Sequence, residues 1–343
     1  MVSKSLFVYE WVTGGGMAGR EGRLPESLLR EGLAMVQAAA ADAVAAGLRV
    51  TVLRDMGVPA IAAAGADIRV VDSRTTHDQL VADLAEQSDA TLVIAPELDG
   101  VLASTVERVT QAGGRLVSPG SDFVRVAADK SITAERLTAA GVATPRSVVV
   151  PPDEPLPDGF DYPAVIKPID GAGSQDTHVV AVADDRPPAY PWPRLLQRYT
   201  PGAPVSVAAI GVTGAEPLLL PPCRQRLTGD GRLQYLGGST PLPAGLAARA
   251  HELAAATLAA LPPLVGYAGV DLVLGDAPDG SRDTVIEINP RLTTSFVGLR
   301  AACRPGLLAA AMLAGAAGEA TPLVFDPRPL AFDADGTVYY DRE

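Results

Sequence analysis

Three polar residues at alternate positions, Glu287, Asn289 and Arg291, end an apolar segment late in the chain. Side chains two residues apart on an extended segment point to one face, so these three are expected to converge. Asp271 lies in the preceding apolar segment. Carboxylate and amide oxygens suit Mg²⁺ that also holds phosphates, and arginine offers phosphate a planar fork of donors. The spacing predicts a metal and phosphate site; the alternative is a hairpin with a surface ion pair.

A lysine within a strand-like apolar segment is the second candidate for phosphate chemistry. Lys167 lies in residues 164–168, where a buried ammonium is costly unless an anion pairs with it. The glycine-containing stretch 170–176 follows at once and could donate backbone N–H groups to phosphate oxygens. A plain hairpin turn is the alternative. Lys130 lies near the middle of a predicted helix, 124–141.

A glycine-rich turn follows the first predicted strand. Such a turn lets the backbone approach a ligand, but residues 13–16 lack the spacing of a dinucleotide or Walker motif. Pro96 and Glu97 follow another predicted strand, at the edge of the sheet where ligands of α/β domains bind. Both stretches are equally compatible with ordinary connections. His77, in a polar first helical turn, is interpreted as a surface residue.

The elements that must position these residues divide the chain into two kinds of structure. Strands and helices alternate through about residue 120, which predicts a doubly wound α/β domain. Later segments predict antiparallel sheets and one long helix, 247–261. The expected domains are an α/β domain at 1–120, a small lobe at 121–200, a second lobe at 201–325 and an irregular Pro- and Asp-rich tail at 326–343.

Composition restricts the class of protein. The 343 residues are 48% hydrophobic and 20% charged, as in globular domains, and the net charge of −12 argues against a general nucleic-acid surface. Cys223 and Cys303 have neither disulfide-framework nor zinc spacing. The first apolar run is too short for a signal peptide, and residues 307–317 are too short to span a membrane. A cytoplasmic protein is expected.

Taken in order along the chain, these motifs resemble those of the ATP-grasp ligases over roughly residues 1–320. The resemblance implies an α/β and α+β fold in which an N-terminal pre-ATP-grasp domain precedes two lobes that enclose ATP, with Mg²⁺ or Mn²⁺. It implies metal ligation by Asp271, Glu287 and Asn289, and catalytic roles for Lys167 and for Arg291, which steadies the transferring phosphoryl group. The implied ATP-binding residues are Lys130, Lys167, Gly171, Ala172, Gly173, Ser174, Gln197, Arg198 and Tyr199.

One position departs from the pattern of that family. Many members have a glutamate for the ribose two residues after the glycine of the Pro-Gly segment, whereas this chain has Pro204. Ser206 is the candidate substitute.

Three stretches, 8–16, 31–35 and 287–299, are similar to the tyramine–glutamate ligase group of ATP-grasp enzymes. This similarity implies small-molecule substrates, glutamate and an aromatic amine such as tyramine or tyrosine, in methanofuran or methylofuran biosynthesis. Neither nucleic acid nor membrane is expected as a partner, and a homodimer is left open. The candidate substrate-binding residues are Thr13, Gly14, Gly15, Gly16, Arg224, Thr293, Thr294 and Ser295.

Three alternatives stay open at this point. Another ATP-grasp ligase with a different amino-acid pair would keep the same ATP residues, and a non-catalytic ATP-binding module would keep only the fold. The hydroxyls of residues 293–295 could equally cap a helix.

Overall fold

The computed structural model describes residues 3–17, 26–71 and 77–340. Its first sheet consists of parallel strands in the order β3-β2-β1-β4, as predicted for an α/β domain. Apolar side chains pack on both faces of this sheet: Val8 and Val52 towards α1, Phe7 and Val93 towards α2 and α3. The elements are β1 Ser5–Glu10, α1 Glu26–Ala45, β2 Arg49–Asp55, β3 Asp67–Val71, α2 His77–Gln87, β4 Ala90–Ile94 and α3 Val101–Gln111.

A small antiparallel sheet forms the second unit, in the order β5-β8-β6-β7. It has a core of its own, which includes Phe160, Ile166 and Leu196. The small lobe therefore packs as a unit around a core that is separate from those of the other sheets. Its strands are β5 Ser147–Val150, β6 Ala164–Pro168, β7 His178–Val180 and β8 Arg194–Arg198.

The helix predicted over 124–141 is two helices, α4 Ser121–Ala127 and α5 Lys130–Ala139. Asp129 adopts an extended conformation between them and caps α5 by accepting hydrogen bonds from the backbone N–H groups of Ser131 and Ile132. Lys130 is therefore the first residue of a helix rather than the middle of one. Both helices pack on the large sheet, so the predicted small lobe of 121–200 begins too early.

The large lobe is an antiparallel sheet with the path β14-β13-β9-β11-β12-β15-β16, and β10 pairs with β9. The strands β11 and β12 were not predicted. The elements are β9 Ala203–Gly211, β10 Leu218–Leu219, β11 Cys223–Leu227, β12 Tyr235–Thr240, α6 Ala244–Ala259, β13 Gly266–Leu274, β14 Thr284–Asn289, α7 Ser295–Ala301, α8 Leu307–Ala316, β15 Leu330–Asp333 and β16 Val338–Tyr340.

The C-terminal tail is part of this sheet, so the prediction of an irregular tail from residue 326 was wrong. β15 pairs with β12 and with β16. Phe332 is fully buried in the core that the N-terminal sheet and the large lobe share. The Pro and Asp residues lie mostly in the connections around these short strands. Their abundance made the whole segment look irregular in sequence. No helix in the described part of the chain is long and apolar enough to cross a membrane.

Candidate active site

A cleft between the small lobe and the large lobe collects most of the predicted residues. The floor comes from β13 and β14, the roof from β6, β8 and the loop after β6, and one side from α1 and the β11–β12 hairpin. The lining includes Glu31, Lys130, Lys167, Gly171, Ala172, Gly173, Ser174, Gln197, Arg198, Tyr199, Pro204, Ser206, Gln225, Tyr235, Asp271, Glu287, Asn289, Arg291, Thr293, Thr294 and Ser295.

An ion pair joins roof and floor at the centre of the cleft. The Nζ of Lys167 donates to Glu287 Oε2 at 3.0 Å, and the lysine is 5% exposed. Burial would raise the pKa of Glu287, but the charges of Lys167 and Lys130 outweigh it and hold the pKa at about 2. Burial lowers the pKa of Lys167, and the charge of Glu287 opposes this effect, so each partner favours the charged form of the other.

Asp271 lies directly opposite Glu287 in the β13–β14 pairing. It accepts hydrogen bonds of 2.9 Å from both the Nε2 of Gln225 and the Nδ2 of Asn289. Burial, together with the charge of Glu287, raises the pKa of Asp271 to about 6. Two carboxylates held this close favour a cation between them.

The donor set at this point fits Mg²⁺ held jointly with phosphates. In the described ranges, no three or more His, Cys, Asp or Glu side chains come together as a complete metal site, so protein carboxylates alone would not complete the shell. Asp271 and Glu287 supply two carboxylates, and Asn289 adds an amide. Mg²⁺ characteristically takes one or two protein carboxylates and completes its shell with water and substrate phosphates. The residues therefore suit a metal that shares its coordination shell with phosphates.

The loop after β6 closes the roof over this pair. Its backbone favours glycine at Gly171 and Gly173, whose φ values are +149° and +67°, although Ser174 also adopts a positive φ of +55°. The Nζ of Lys130, at the start of α5, donates to the carbonyl of Gly171 at 3.1 Å. The second lysine predicted for phosphate therefore holds the loop while facing the cleft.

The outer end of the cleft lies where β8 leaves the small lobe. Gln197 is 3% exposed, whereas Arg198 and Tyr199 are exposed; all three line the cavity. Pro204 and Ser206 line the adjacent wall. The Ser206 hydroxyl hydrogen-bonds to Asp271, which places it beside the predicted metal ligands.

Arg291 lies at the inner end and is only 9% exposed. Its Nε is 3.1 Å from Glu97 Oε1 and donates to Oε2 at 3.2 Å. Burial disfavours the guanidinium charge, but Glu97 and Glu31 outweigh this effect and raise the pKa of Arg291. Glu97 follows β4, at the edge of the first sheet where a ligand was predicted. Its ion pair with Arg291 connects that edge to the cleft.

The hydroxyl cluster at residues 293–295 faces the same end. Thr294 Oγ1 donates to Glu31 Oε2 at 3.1 Å, and the hydroxyl oxygens of Thr293 and Ser295 are 2.8 Å apart. Thr294 precedes α7 but makes no side-chain capping hydrogen bond. The side chain of Thr294 therefore does not cap α7.

Two groups of predicted substrate residues lie elsewhere. Arg224 is exposed and absent from the cleft lining, whereas the next residue of β11, Gln225, lines it. The turn of Thr13, Gly14, Gly15 and Gly16 is largely buried and likewise absent from the lining. The carboxylate of Glu10 orders this turn by accepting from the backbone N–H groups of Val12 at 3.1 Å and Thr13 at 2.6 Å.

His77 is not the surface residue that was expected. Its side chain is 12% exposed, with Nε2 2.8 Å from the hydroxyl of Tyr9 and Nδ1 3.0 Å from Asp78. The polar helical turn around it gave no sign of the partner on β1.

Several lining residues were missed as site residues, among them Glu31, Gln225 and Tyr235. Strand alternation could have separated Arg224 from Gln225. Glu97 was expected at the ligand edge of the first sheet, but its contact with Arg291 and that of Glu31 with Thr294 depend on distant packing.

Family models match most of the chain. A pre-ATP-grasp domain model matches residues 48–124, and an ATP-grasp domain model matches residues 127–295. The chain belongs to the ATP-grasp superfamily, and the predicted fold class is confirmed.

Among named relatives, the chain is similar to the tyramine–L-glutamate ligase of Methanocaldococcus fervens, at 27% identity over 215 residues. That alignment covers 63% of this chain and 62% of the relative, so the match spans about three fifths of the relative's length.

Solved structures share the fold at low sequence identity. An ATP-grasp superfamily protein from Archaeoglobus fulgidus has a TM-score of 0.70 at 23% identity, covering 96% of this chain and 92% of that one. The ADP complex of an N5-carboxyaminoimidazole ribonucleotide synthetase has a TM-score of 0.70 at 18% identity, covering 96% and 81%.

Proposed function

We propose that this protein is an ATP-dependent, ADP-forming ligase that joins the γ-carboxylate of glutamate to an aromatic amine of the tyramine or tyrosine type. The observation that carries the proposal is the buried Lys167–Glu287 pair opposite Asp271, inside a cleft between two lobes. The similarity to tyramine–L-glutamate ligase supports the substrate pair. The same resemblance suggests a role in methanofuran or methylofuran biosynthesis.

ATP would lie along the cleft with its adenine at the outer end. Gln197, Arg198 and Tyr199 would flank the adenine at the outer end. The phosphates would lie between Lys167 and the loop after β6, where Lys130 and the loop N–H groups can reach them. Mg²⁺ held by Asp271, Glu287 and Asn289 would offset the phosphate charge.

The chemistry needs no protein nucleophile. An oxygen of the glutamate γ-carboxylate attacks the γ-phosphorus of ATP, and the bond to the ADP oxygen breaks. The acyl phosphate that forms has a good leaving group, so the amine nitrogen attacks its carbonyl carbon and phosphate departs. Lys167, Lys130 and Arg291 position these groups and stabilise the charge that develops on oxygen.

The test is ADP release with Mg²⁺, ATP and L-glutamate, scanned against tyramine, tyrosine and other amines with product masses read alongside. We expect release that requires both glutamate and an aromatic amine, with a γ-glutamyl amide as product. Release with another carboxylate–amine pair would replace the substrates and keep the ligase. Absence of amine-dependent release across the panel would contradict the proposal and favour a non-catalytic ATP-binding module.

A further inference from the structure

The inner end of the cleft carries more negative than positive charge. Glu10, Glu31 and Glu97 all lie within electrostatic range of Arg291, which is the one basic side chain that lines this end in the described part of the chain. Glu97 pairs with Arg291, and Glu10 is satisfied by backbone N–H groups. Of the three, Glu31 is the carboxylate that lines the cavity.

Glu31 is held in place but not neutralised. Within the described ranges, Glu31 accepts one hydrogen bond, from the neutral hydroxyl of Thr294 at 3.1 Å. Burial raises the pKa of Glu31, and the charge of Arg291 only partly offsets this effect. A partly buried carboxylate with a single neutral donor is best satisfied by a cation that brings N–H groups.

We infer that Glu31 binds the ammonium group of the acceptor amine and takes the proton that this nitrogen must lose. The inference rests on the proposed ligase function and adds a residue that recognises the second substrate. An ionised carboxylate only accepts hydrogen bonds. Glu31 therefore favours binding of a cationic amine over the neutral or anionic groups of other small molecules.

Position favours the acceptor amine over the α-ammonium of glutamate. A Cβ added at Gly173, in the loop over the phosphates, would lie 3.7 Å from Glu31 Oε1. Arg291, which is proposed to steady the transferring phosphoryl group, is also within electrostatic range of Glu31. The attacking nitrogen must come within about 3–3.5 Å of the acyl carbon. The α-nitrogen of glutamate is separated from its γ-carboxyl carbon by three carbon atoms.

The wall beside Glu31 suits the apolar part of such an amine. Leu227, Leu233 and Tyr235, from the β11–β12 hairpin, line the cavity. Tyr235 lies within electrostatic range of both Glu31 and Asp271, so it is near both carboxylates. An aromatic ring can pack on these side chains while its ammonium reaches Glu31.

The proton balance follows from this arrangement. The ammonium gives one proton to the Glu31 carboxylate, which frees the nitrogen lone pair. That pair forms the C–N bond, and the C–O bond to phosphate breaks as phosphate leaves with its electron pair. The second nitrogen proton leaves with the phosphate, and Glu31 returns its proton to solvent.

The experiment separates the two chemical steps in wild type, Glu31→Gln and the control Glu26→Gln. Glu26 is exposed on the first turn of the same helix. Hydroxylamine, which is neutral near pH 7.5, traps the acyl phosphate as γ-glutamyl hydroxamate and reports the first step. Tyramine reports the second step through γ-glutamyl tyramide. We expect Glu31→Gln to keep hydroxamate formation and the KM for glutamate within about twofold, and to lose about tenfold or more in kcat/KM for tyramine.

Each other outcome has one meaning. Equal loss of hydroxamate and amide in Glu31→Gln would make Glu31 structural and overturn the inference. A raised KM for glutamate with an unchanged KM for tyramine would assign Glu31 to the α-ammonium and overturn it as well. Hydroxamate without tyramide in wild type would overturn tyramine recognition. No hydroxamate in wild type would instead sink the proposed ligase function on which the inference rests.

Discussion

Lys167 connects the two lobes through a single charged contact. Its ammonium is buried and paired with Glu287 at 3.0 Å. Lys167→Met removes the charge that would stabilise the phosphoryl group in transit, so we expect glutamate- and amine-dependent ADP release to fall by about 100-fold or more. Steady-state ADP release under saturating substrates measures this loss.

The control is Lys4→Met, the same change at an exposed lysine outside the cleft. It should leave turnover unchanged. The Glu287 side chain is 26% exposed and lies near Lys130, so the fold of Lys167→Met should persist in circular dichroism spectra. Near-normal turnover in Lys167→Met would remove Lys167 from the phosphate site.

Glu10 predicts a pH dependence of stability. Burial raises its pKa above the ordinary 4.5, because the hydrogen bonds from Val12 and Thr13 only partly offset the loss of solvent. Between these two pKa values, Glu10 is protonated in the folded protein and ionised in the unfolded chain. The contribution of this group to the free energy of unfolding is therefore present below about pH 4.5 and is lost as pH rises through the folded pKa.

Glu10→Gln cannot titrate, so we expect the difference in unfolding free energy, wild type minus variant, to fall as pH rises from 4.5. Urea denaturation of both proteins in steps up to about pH 8 measures it. Glu26→Gln, exposed on α1, is the matched control for the removal of one carboxylate. A constant difference for Glu10→Gln would contradict the raised pKa.

At the scale of elements, the loop after β6 is shaped by glycine. Gly173 has φ +67°, and a Cβ there would lie 3.2 Å from Leu28 Cδ2 on α1. We expect Gly173→Ala to cost about 1 kcal/mol of stability through the left-handed backbone and to raise the KM for ATP several-fold by displacing the loop. ADP release across a range of ATP concentrations measures the second effect.

Gly141→Ala provides the matched control for this loop. Gly141 has φ +73° at the end of α5, and nothing lies within 4 Å of an added Cβ. It should lose similar stability while its KM for ATP stays unchanged. The loop assignment would be wrong if the two variants shifted the KM for ATP equally.

The helix break before Lys130 shows how a local signal is hidden. Periodicity over 124–141 is compatible with one helix, and Asp129 is tolerated on an exposed helical face. The structure uses Asp129 as a cap, which begins α5 at Lys130 and turns that lysine towards Gly171. Capping geometry depends on where the second helix packs, and α5 packs against the large sheet.

At the scale of the whole molecule, the N-terminal sheet and the large lobe form one body. A single core contains Val8, Ile210, Phe296 and Phe332, whereas the small lobe keeps its own. Phe332, on the tail strand β15, is 0% exposed. We expect Phe332→Ala to lower the free energy of unfolding by about 3–5 kcal/mol, because it leaves a cavity in this shared core.

Chemical denaturation followed by circular dichroism tests the role of the tail. Tyr340→Ala, at a residue of β16 that is 47% exposed, is the control and should change stability by less than about 1 kcal/mol. A similarly small effect of Phe332→Ala would mean that the tail is dispensable to the fold.

What the sequence determined by itself is local. Period-two alternation was enough to direct Glu287, Asn289 and Arg291 to one space, and residues 171–174 were recognisable as a loop beside a buried lysine. Both features depend on neighbours within a few positions, where backbone geometry alone sets the direction of a side chain.

Only the tertiary structure decided which charges meet. Glu97 lies 194 positions from Arg291, and Glu31 lies 263 positions from Thr294. These contacts follow from sheet order and from the packing of α1 beside α7, neither of which is encoded in any short window of residues. The end of the cleft that contains Lys167 and Glu287 could therefore be predicted from motifs, whereas the acidic end, where the second substrate is proposed to bind, required the assembled fold.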